Sequence, residues 1–215
     1  MKILALELST ARGSLAWLDE DAAGLNCDWP NDRKNSGAFF ENLADVTKKF
    51  GLPDTIIVGL GPGSYAGTRI AISAAIGLQV SYGARLIGFP SICAMESNGQ
   101  EYSVIGDARR KSFFFARIRA NHLVQGPMLL AEWELKSKLD TMDMSTPVFT
   151  SDSLPQFEHV LVRFPSALVL ARLAREPQRS FSLPPPTRPP VLSPPTFATC
   201  GRRAVTLSWT IFSIS

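Results

Sequence analysis

The run from Gly59 to Ala71 carries the residue types best suited to chemistry in this chain: Gly-Leu-Gly-Pro-Gly-Ser-Tyr-Ala-Gly-Thr-Arg-Ile-Ala. It directly follows the apolar run 55–58, and an alanine-rich stretch without proline follows it to about residue 80. This order predicts a strand, a tight glycine turn and a helix. The free N–H groups at the start of such a helix can hold an anion. The predicted contacts of an anion or nucleotide are Gly61, Gly63, Ser64, Gly67 and Arg69.

The same turn lacks the signatures of two other sites. No Gly-Lys-Ser/Thr follows it, so it is not a Walker loop. Ser64 lacks both the second glycine of a Gly-x-Ser-x-Gly elbow and a histidine placed to act as its base, so a peptidase ranks last among the functions considered. We expect the Ser64 hydroxyl to cap the helix rather than to bind an anion. Arg69 is equally suited to meet a phosphate or to pair with an acid.

Residues for metal or acid–base catalysis are sparse. The histidines and cysteines are scattered and form no metal-ligand spacing: His122, His159, Cys27, Cys93 and Cys200. No metal site and no catalytic residue is therefore predicted. Glu7, Asp19 and Asp107 could be imagined as paired carboxylates, but polar groups at strand ends are the favoured interpretation.

Hydrophobic periodicity and turn residues predict the elements that position this turn. In the first half we expect strands at 2–8, 13–18 and 24–29, a helix at 36–50 capped by Asn35 or Ser36, a strand at 55–58, a helix to about 81, a strand at 86–88 and a short helix from 90. A second half begins near Tyr102, with strands at 103–105, 112–118 and 148–150 and helices at 133–139 and 166–175. Both halves begin with the same strand pattern, which indicates a weak internal repeat.

Two of these helices have faces wide enough for a second contact. Burial against the sheet is expected for Phe39 and the residues that share its face, and Phe40 widens that face. The small residues between positions 66 and 77 would let another helix approach closely. The predicted partner interface comprises Phe39, Phe40, Leu43, Gly67, Ile70, Ala71 and Ala74.

The charge and apolar patterns limit the partners of the chain. The formal net charge is +3, but no acid follows Glu176 and four arginines do, so the preceding residues carry about −1. Arg109-Arg110-Lys111, with Arg117 and Arg119 nearby, is the one basic cluster, and a strand pair with outward cations explains it equally well. We therefore expect only indirect contact with RNA. No apolar run approaches the length of a membrane span or a signal-peptide core, which predicts a cytoplasmic protein without a membrane partner.

The composition divides the chain into three parts. We predict a first unit at 1–100, a smaller second unit at 101–177 and a proline-rich tail at 178–215. Eight of the sixteen prolines fall between Pro177 and Pro195, which prevents regular ladders and predicts poor order in the tail. A shifted reading frame and a divergent tail both remain open as its origin.

The string Gly-Pro-Gly-Ser-Tyr-x-Gly-x-Arg-Ile at 61–70 closely resembles the signature of the bacterial TsaB (YeaZ) family. Three further blocks agree with that family in order and spacing: Ile3–Thr10, Ile87–Ser91 and Ile105–Arg110. The resemblance implies an α/β fold of the actin-like ATPase superfamily, with two tandem ribonuclease-H-like units of which the second is degenerate. It extends over roughly the first 120 residues and is patchy to about residue 175.

The resemblance also implies a function. Members of the family act as non-catalytic partners of a TsaD-like catalytic subunit, which transfers threonylcarbamoyl to adenosine 37 of tRNAs that read ANN codons. A TsaE-like ATPase joins the complex, a homodimer forms when the partner is absent, and ATP is a candidate ligand within the complex, while no cofactor is assigned to this subunit.

The chain departs from the family pattern at several positions. Glu7 stands where the first strand usually ends in Asp, and Asn35-Ser36 replaces the usual His-Ser/Thr. Catalytic relatives hold a metal with two histidines at positions that correspond here to Ser91 and Met95, which are poor ligands for such a cation.

A kinase of the same superfold, acting on a small molecule with ATP, is the alternative. The loop 61–67 and Glu7 favour it. The absence of a second glycine-rich phosphate loop from the C-terminal half disfavours it.

Overall fold

The first of two five-stranded sheets positions the glycine turn. The computed structural model describes residues 1–19, 24–31, 36–97, 99–143 and 145–175, and these lie within one compact unit. The strands of the first sheet are β1 (Ile3–Glu7), β2 (Arg12–Leu18), β3 (Leu25–Pro30), β4 (Thr55–Gly59) and β5 (Arg85–Phe89). Their order is β3-β2-β1-β4-β5, antiparallel from β1 to β3 and parallel from β1 to β5. All five strands lie where the sequence predicts them.

Helices α1 (Gly37–Phe50) and α2 (Tyr65–Tyr82) cover one face of this sheet. The alternation of β1 explains the two-sided burial, since Leu4 and Leu6 pack toward these helices while Ile3 and Ala5 point to the opposite face. Both helices end at a glycine with positive φ, as the sequence predicts for α1. The predicted cap of α1 is wrong for Ser36, whose hydroxyl makes no capping hydrogen bond, and Asn35 lies outside the described residues.

The second sheet repeats the pattern of the first. Its strands are β6 (Glu101–Asp107), β7 (Ser112–Arg119), β8 (His122–Ala131), β9 (Val148–Thr150) and β10 (Val160–Val162). Three antiparallel strands are followed by two parallel ones, in the order β10-β9-β6-β7-β8. The two parallel strands added to β6, β9 and β10, are only three residues long. The second unit is degenerate in this sense, because its parallel part is much shorter than that of the first. Helix α3 (Glu132–Asp140) packs Leu135 against this sheet.

Helix α4 (Ala167–Ala174) joins the two sheets. It lies within the range predicted for the second unit, yet it packs on β1, β2 and β4 of the first sheet. Leu170 and Ala171 enter the same core as Ile57, Tyr102 and the short 3₁₀ helix Ser91–Ala94. The two sheets therefore share one continuous apolar core.

No helix in the described part of the chain is long and apolar enough to cross a membrane. The tail predicted at 178–215 lies outside the described residues.

Candidate functional site

The glycine turn between β4 and α2 packs directly on the turn that follows β1. A Cβ added to Gly63 would lie 2.1 Å from the carbonyl oxygen of Ser9, and one added to Gly67 would lie 2.1 Å from that of Leu8. These distances are far below any real contact. Gly63 and Gly67 are therefore required by close packing of backbone on backbone.

Hydrogen bonds hold this turn closed. The Ser64 N–H donates to the Ser9 carbonyl, and the Gly61 N–H donates to Ser91 Oγ at 2.9 Å. The Gly67 N–H donates to Ser64 Oγ at 3.3 Å, so Ser64 caps α2 as the sequence predicts. Three of the amides predicted to meet an anion are thus already engaged within the chain.

Arg69 faces away from the glycine turn. Its guanidinium lies 5.2 Å from the centre of the exposed Tyr65 ring, and Nη1 donates to the Tyr65 hydroxyl at 3.5 Å. This arrangement is a cation–π pair on the outside of α2. The Arg69 guanidinium is therefore engaged with Tyr65 on the exposed side of α2.

A buried polar pocket, formed by Glu7, Ser9 and Ser91, lies beneath the turn. The Glu7 carboxyl is fully buried, and its Oε1 accepts a hydrogen bond from the Ser9 N–H at 2.7 Å. Glu7 Oε2 and Ser9 Oγ have no hydrogen-bond partner among the described residues. Burial raises the pKa of Glu7, and the Ser9 N–H together with the nearby hydroxyls of Ser9 and Ser91 opposes that effect only in part.

The described residues around this polar pocket do not include a set of side chains suited to binding a catalytic metal ion. Ser91 is buried and its hydroxyl is the acceptor for Gly61, while Met95 packs in the shared core. Asp107 is exposed and lies 3.5 Å from Arg109, so it does not pair with the buried Glu7. In the part of the chain that the structure describes, no three His, Cys, Asp or Glu residues are grouped to hold a metal ion.

A cleft of about 530 Å³ opens beside the glycine turn. It is lined by the turn residues 9–11 and 62–64 of the first half and by 107–109 and 151–154 of the second. Its acids are tied to backbone, because Asp152 Oδ2 accepts from the Asp107 N–H at 2.9 Å and Asp107 Oδ1 accepts from the Arg109 N–H at 2.7 Å. The lining of the cleft is part polar and part apolar, with Ile92, Phe114 and Leu129 among its apolar residues, and it is where the kinase alternative would place a nucleotide.

The predicted partner interface needs correction for four of its seven residues. Phe39, Leu43, Gly67 and Ala71 are buried in the core of this chain, so they do not form part of its exposed surface. Their burial follows from the helical periodicity that places them against the first sheet.

The remaining three residues lie in a surface groove between α1 and α2, which we call the α1–α2 groove. It has a volume of about 600 Å³ and is lined by Phe40, Tyr65, Ala66, Arg69, Ile70, Ser73 and Ala74. Phe40 is 50% exposed and Tyr65 75% exposed. Ile76 and Val80 continue the apolar surface along α2, and Val80 is 73% exposed.

The sequence prediction missed Tyr65, Ile76 and Val80. A signal was present, because Ile76 and Val80 are four residues apart on the helix face opposite the buried Gly67, Ala71 and Ala75.

The paired sheets, each with three antiparallel and two parallel strands, define an α/β protein of the actin-like, ribonuclease-H-like class. Two solved structures from Pseudomonas aeruginosa share the fold, each at 20% identity and a TM-score of 0.66. One, described as YeaZ, is matched over 84% of this chain and 95% of its own; the other, described as an uncharacterized protein with similarity to peptidase YEAZ, over 80% and 89%.

Residues 37–131 match the family described as TsaD, tRNA N6-adenosine threonylcarbamoyltransferase. No curated protein matches the chain. The family match and the shared fold agree with the resemblance of the sequence to the TsaB (YeaZ) family.

Proposed function

We propose that this chain is a non-catalytic partner subunit in tRNA threonylcarbamoylation. It binds a TsaD-like enzyme and supports its transfer of threonylcarbamoyl to adenosine 37 of tRNAs that read ANN codons. The observation that carries the proposal is the apolar surface formed by the α1–α2 groove and the exposed face of α2.

The composition of α2 favours a binding surface over a solvated face. Arg69 is the one Asp, Glu, Lys or Arg in the 18 residues of the helix, whereas a helix facing water normally carries charges along its outer side. Burying the exposed side chains of Phe40, Tyr65 and Val80 against a partner gains about 25 cal/mol per Å² of apolar area. Small residues in the groove, among them Ala66, Ser73 and Ala74, leave room for a partner helix.

The site beneath the glycine turn supports a role without chemistry of its own. The residues at the positions of the metal-binding histidines, Ser91 and Met95, are buried and serve packing and hydrogen bonding. The Ser64 hydroxyl is engaged as a helix cap. The chemistry of the reaction then belongs to the TsaD-like subunit.

The rest of the proposed assembly follows from the resemblance to the TsaB (YeaZ) family. When the TsaD-like subunit is absent, two copies of this chain pair through the α1–α2 groove. A TsaE-like ATPase joins the complex in the cytoplasm, and ATP is bound within that complex rather than by this chain alone.

The binding step is tested with purified full chain and the TsaD-like protein of the same organism. Ala74→Arg places a long cation in the groove and should abolish co-elution on size exclusion, while the fold measured by circular dichroism is unchanged. Leu161→Arg, at an exposed apolar position of β10, is the control and should bind normally. A complex that survives Ala74→Arg would mean that the partner lies elsewhere.

The kinase alternative draws on the cleft lined by residues 9–11, 62–64, 107–109 and 151–154. Calorimetric titration of the full chain with ATP separates the two functions. Micromolar binding accompanied by phosphoryl transfer to a small molecule would replace the partner-subunit proposal. We expect no such transfer.

A further inference from the structure

The turn between β6 and β7 concentrates exposed positive charge. Arg109, Arg110 and Lys111 follow one another at its tip and are all exposed. Arg109 forms an ion pair with Asp107, with 3.5 Å between Nη1 and Oδ2. Arg110 and Lys111 make no ion pair with another described residue. Their positive side chains therefore face solvent without compensation.

The backbone of this basic turn is unusual as well. Arg109, Arg110 and Lys111 have φ values of 71°, 53° and 63°. Three consecutive non-glycine residues in the left-handed region are uncommon, and each such residue carries a conformational cost. Costs of this kind cluster at sites that bind a ligand.

The neighbouring cations of β7 do not belong to this surface. Arg117 and Arg119 both bind Glu101, Arg119 through Nε at 3.0 Å. Arg117, Arg119 and Glu101 thus form an ion-pair network on the sheet, which accounts for the outward cations that the sequence placed near the cluster. Of these five cations, only Arg110 and Lys111 at the tip of the turn lack an ion-pair partner among the described residues.

An exposed tryptophan lies beside the basic turn. Ser112 pairs with Ala131 across β7 and β8, so the chain before Ser112 and the chain after Ala131 leave the sheet at the same end. The first turn of α3 begins there, and its Trp133 is 72% exposed. The two acids of that turn are engaged, because Glu132 binds Lys136 at 2.7 Å and Glu134 accepts from the Ala131 N–H at 2.6 Å.

We propose that the basic turn and Trp133 form an RNA-contact surface of this chain, an inference that rests on the proposed function. Arg110 and Lys111 bind phosphates of the tRNA backbone, and Trp133 stacks on an unpaired base. Cations beside an exposed aromatic ring are the combination that single-stranded RNA requires. The proposal departs from the expectation of purely indirect RNA contact, which explained the same basic cluster as the outward cations of a strand pair.

The test uses fluorescence anisotropy of the full chain with the anticodon stem-loop RNA of an ANN-reading tRNA, measured over a series of salt concentrations. Arg110→Asn with Lys111→Asn removes both charges, and asparagine tolerates the left-handed backbone. The affinity should fall and the magnitude of the salt slope should decrease by about 1.4, since each lost phosphate contact to a single strand removes about 0.7.

Trp133 is tested separately, because stacking and charge have different signatures. Trp133→Ala should weaken binding about 5- to 150-fold with an unchanged salt slope, and Trp133→Phe should retain most of the affinity. Lys48→Asn with Lys49→Asn removes two exposed cations from the last turn of α1 and serves as the matched control. RNA binding that ignores the basic-turn and Trp133 variants, or that falls equally in the control, would overturn the proposal.

Capture of the TsaD-like protein by the same variants distinguishes the two proposals. If wild-type chain captures that protein and the basic-turn variants do so equally, loss of RNA binding belongs to this surface alone. Variants that lose capture but keep RNA binding would identify a protein interface and overturn the RNA assignment. Failure of the wild-type chain to capture the protein would count against the proposed function itself.

Discussion

The main-chain N–H of Ala167 donates to the hydroxyl of Ser14 at 2.8 Å, across 153 positions of the sequence. Both groups are buried. The bond fixes the first turn of α4 on strand β2, and α4 in turn closes the face of the first sheet opposite α1 and α2. A helix that follows the second sheet in the chain thereby stabilises the sheet that carries the partner surface.

Ser14→Ala tests how much this hydrogen bond contributes to the stability of the fold. The substitution leaves the buried Ala167 N–H without its acceptor, which should lower the free energy of unfolding by about 1–3 kcal/mol. Urea denaturation monitored by circular dichroism measures the loss. The exposed Ser153→Ala is the control, and equal stability of the two variants would show that the bond contributes nothing.

The two glycines of α2 give a matched pair. A Cβ at Gly67 would collide with the Leu8 carbonyl, whereas one at Gly77 would meet nothing within 4 Å. Gly67→Ala should therefore destabilise the fold by about 1–3 kcal/mol through overpacking. Gly77→Ala should stabilise it by about 0.5–1 kcal/mol, because alanine is the better helix former.

Thermal or urea denaturation of both variants checks the sign of each change. Stabilisation by Gly67→Ala would show that the glycine turn is not packed on the turn after β1. The same geometry rules out larger side chains at Gly67 as probes of partner binding, because they would damage the fold first.

Glu7 predicts a pH dependence of stability. Burial raises the pKa of its carboxyl above the ordinary value of 4.5. Below that value the carboxyl is protonated in both states. Above it the unfolded chain loses the proton while the folded chain keeps it, so the free energy of unfolding falls with pH until the folded pKa is passed.

Glu7→Gln removes this ionisation. The free energy of unfolding of the variant minus that of wild type should increase from pH 5 to pH 8, at no more than about 1.4 kcal/mol per pH unit. Urea titrations at several pH values measure it, with the exposed Glu41→Gln as the control for loss of a charge. Parallel curves for wild type and Glu7→Gln would contradict a neutral buried acid.

Local signals predicted the first half of the fold well. The apolar run at the start of Ile3–Glu7 and the glycine turn before α2 are properties of adjacent residues, so the strands and helices of this half could be placed to within one or two positions. Ser64 as a helix cap depends on equally local chemistry and was also predicted.

The second half could not be predicted to the same depth. Gly126 and Pro127 interrupt the alternation of β8, and β10 has only three residues, so neither strand shows a clear period. The packing of α4 on the first sheet depends on contacts over more than a hundred positions, such as that between Ser14 and Ala167. No local pattern reports such a contact.

The candidate site shows the same division. The small residues of α2 indicated a close approach, but Gly67 and Ala71 approach the chain's own sheet rather than a partner. The exposed side of the helix, with Tyr65 and Val80, became evident only once the buried side was known.

Reconstitution of the modification tests the central claim most directly. The TsaD-like and TsaE-like proteins of the same organism are supplied with threonylcarbamoyl-adenylate, ATP and an ANN-reading tRNA, with and without this chain, and modified adenosine is measured by mass spectrometry. We predict that the modified base forms only when the chain is present and that Ala74→Arg fails to support it. Equal product without the chain, or modification by the chain unaided, would contradict the role of a non-catalytic partner.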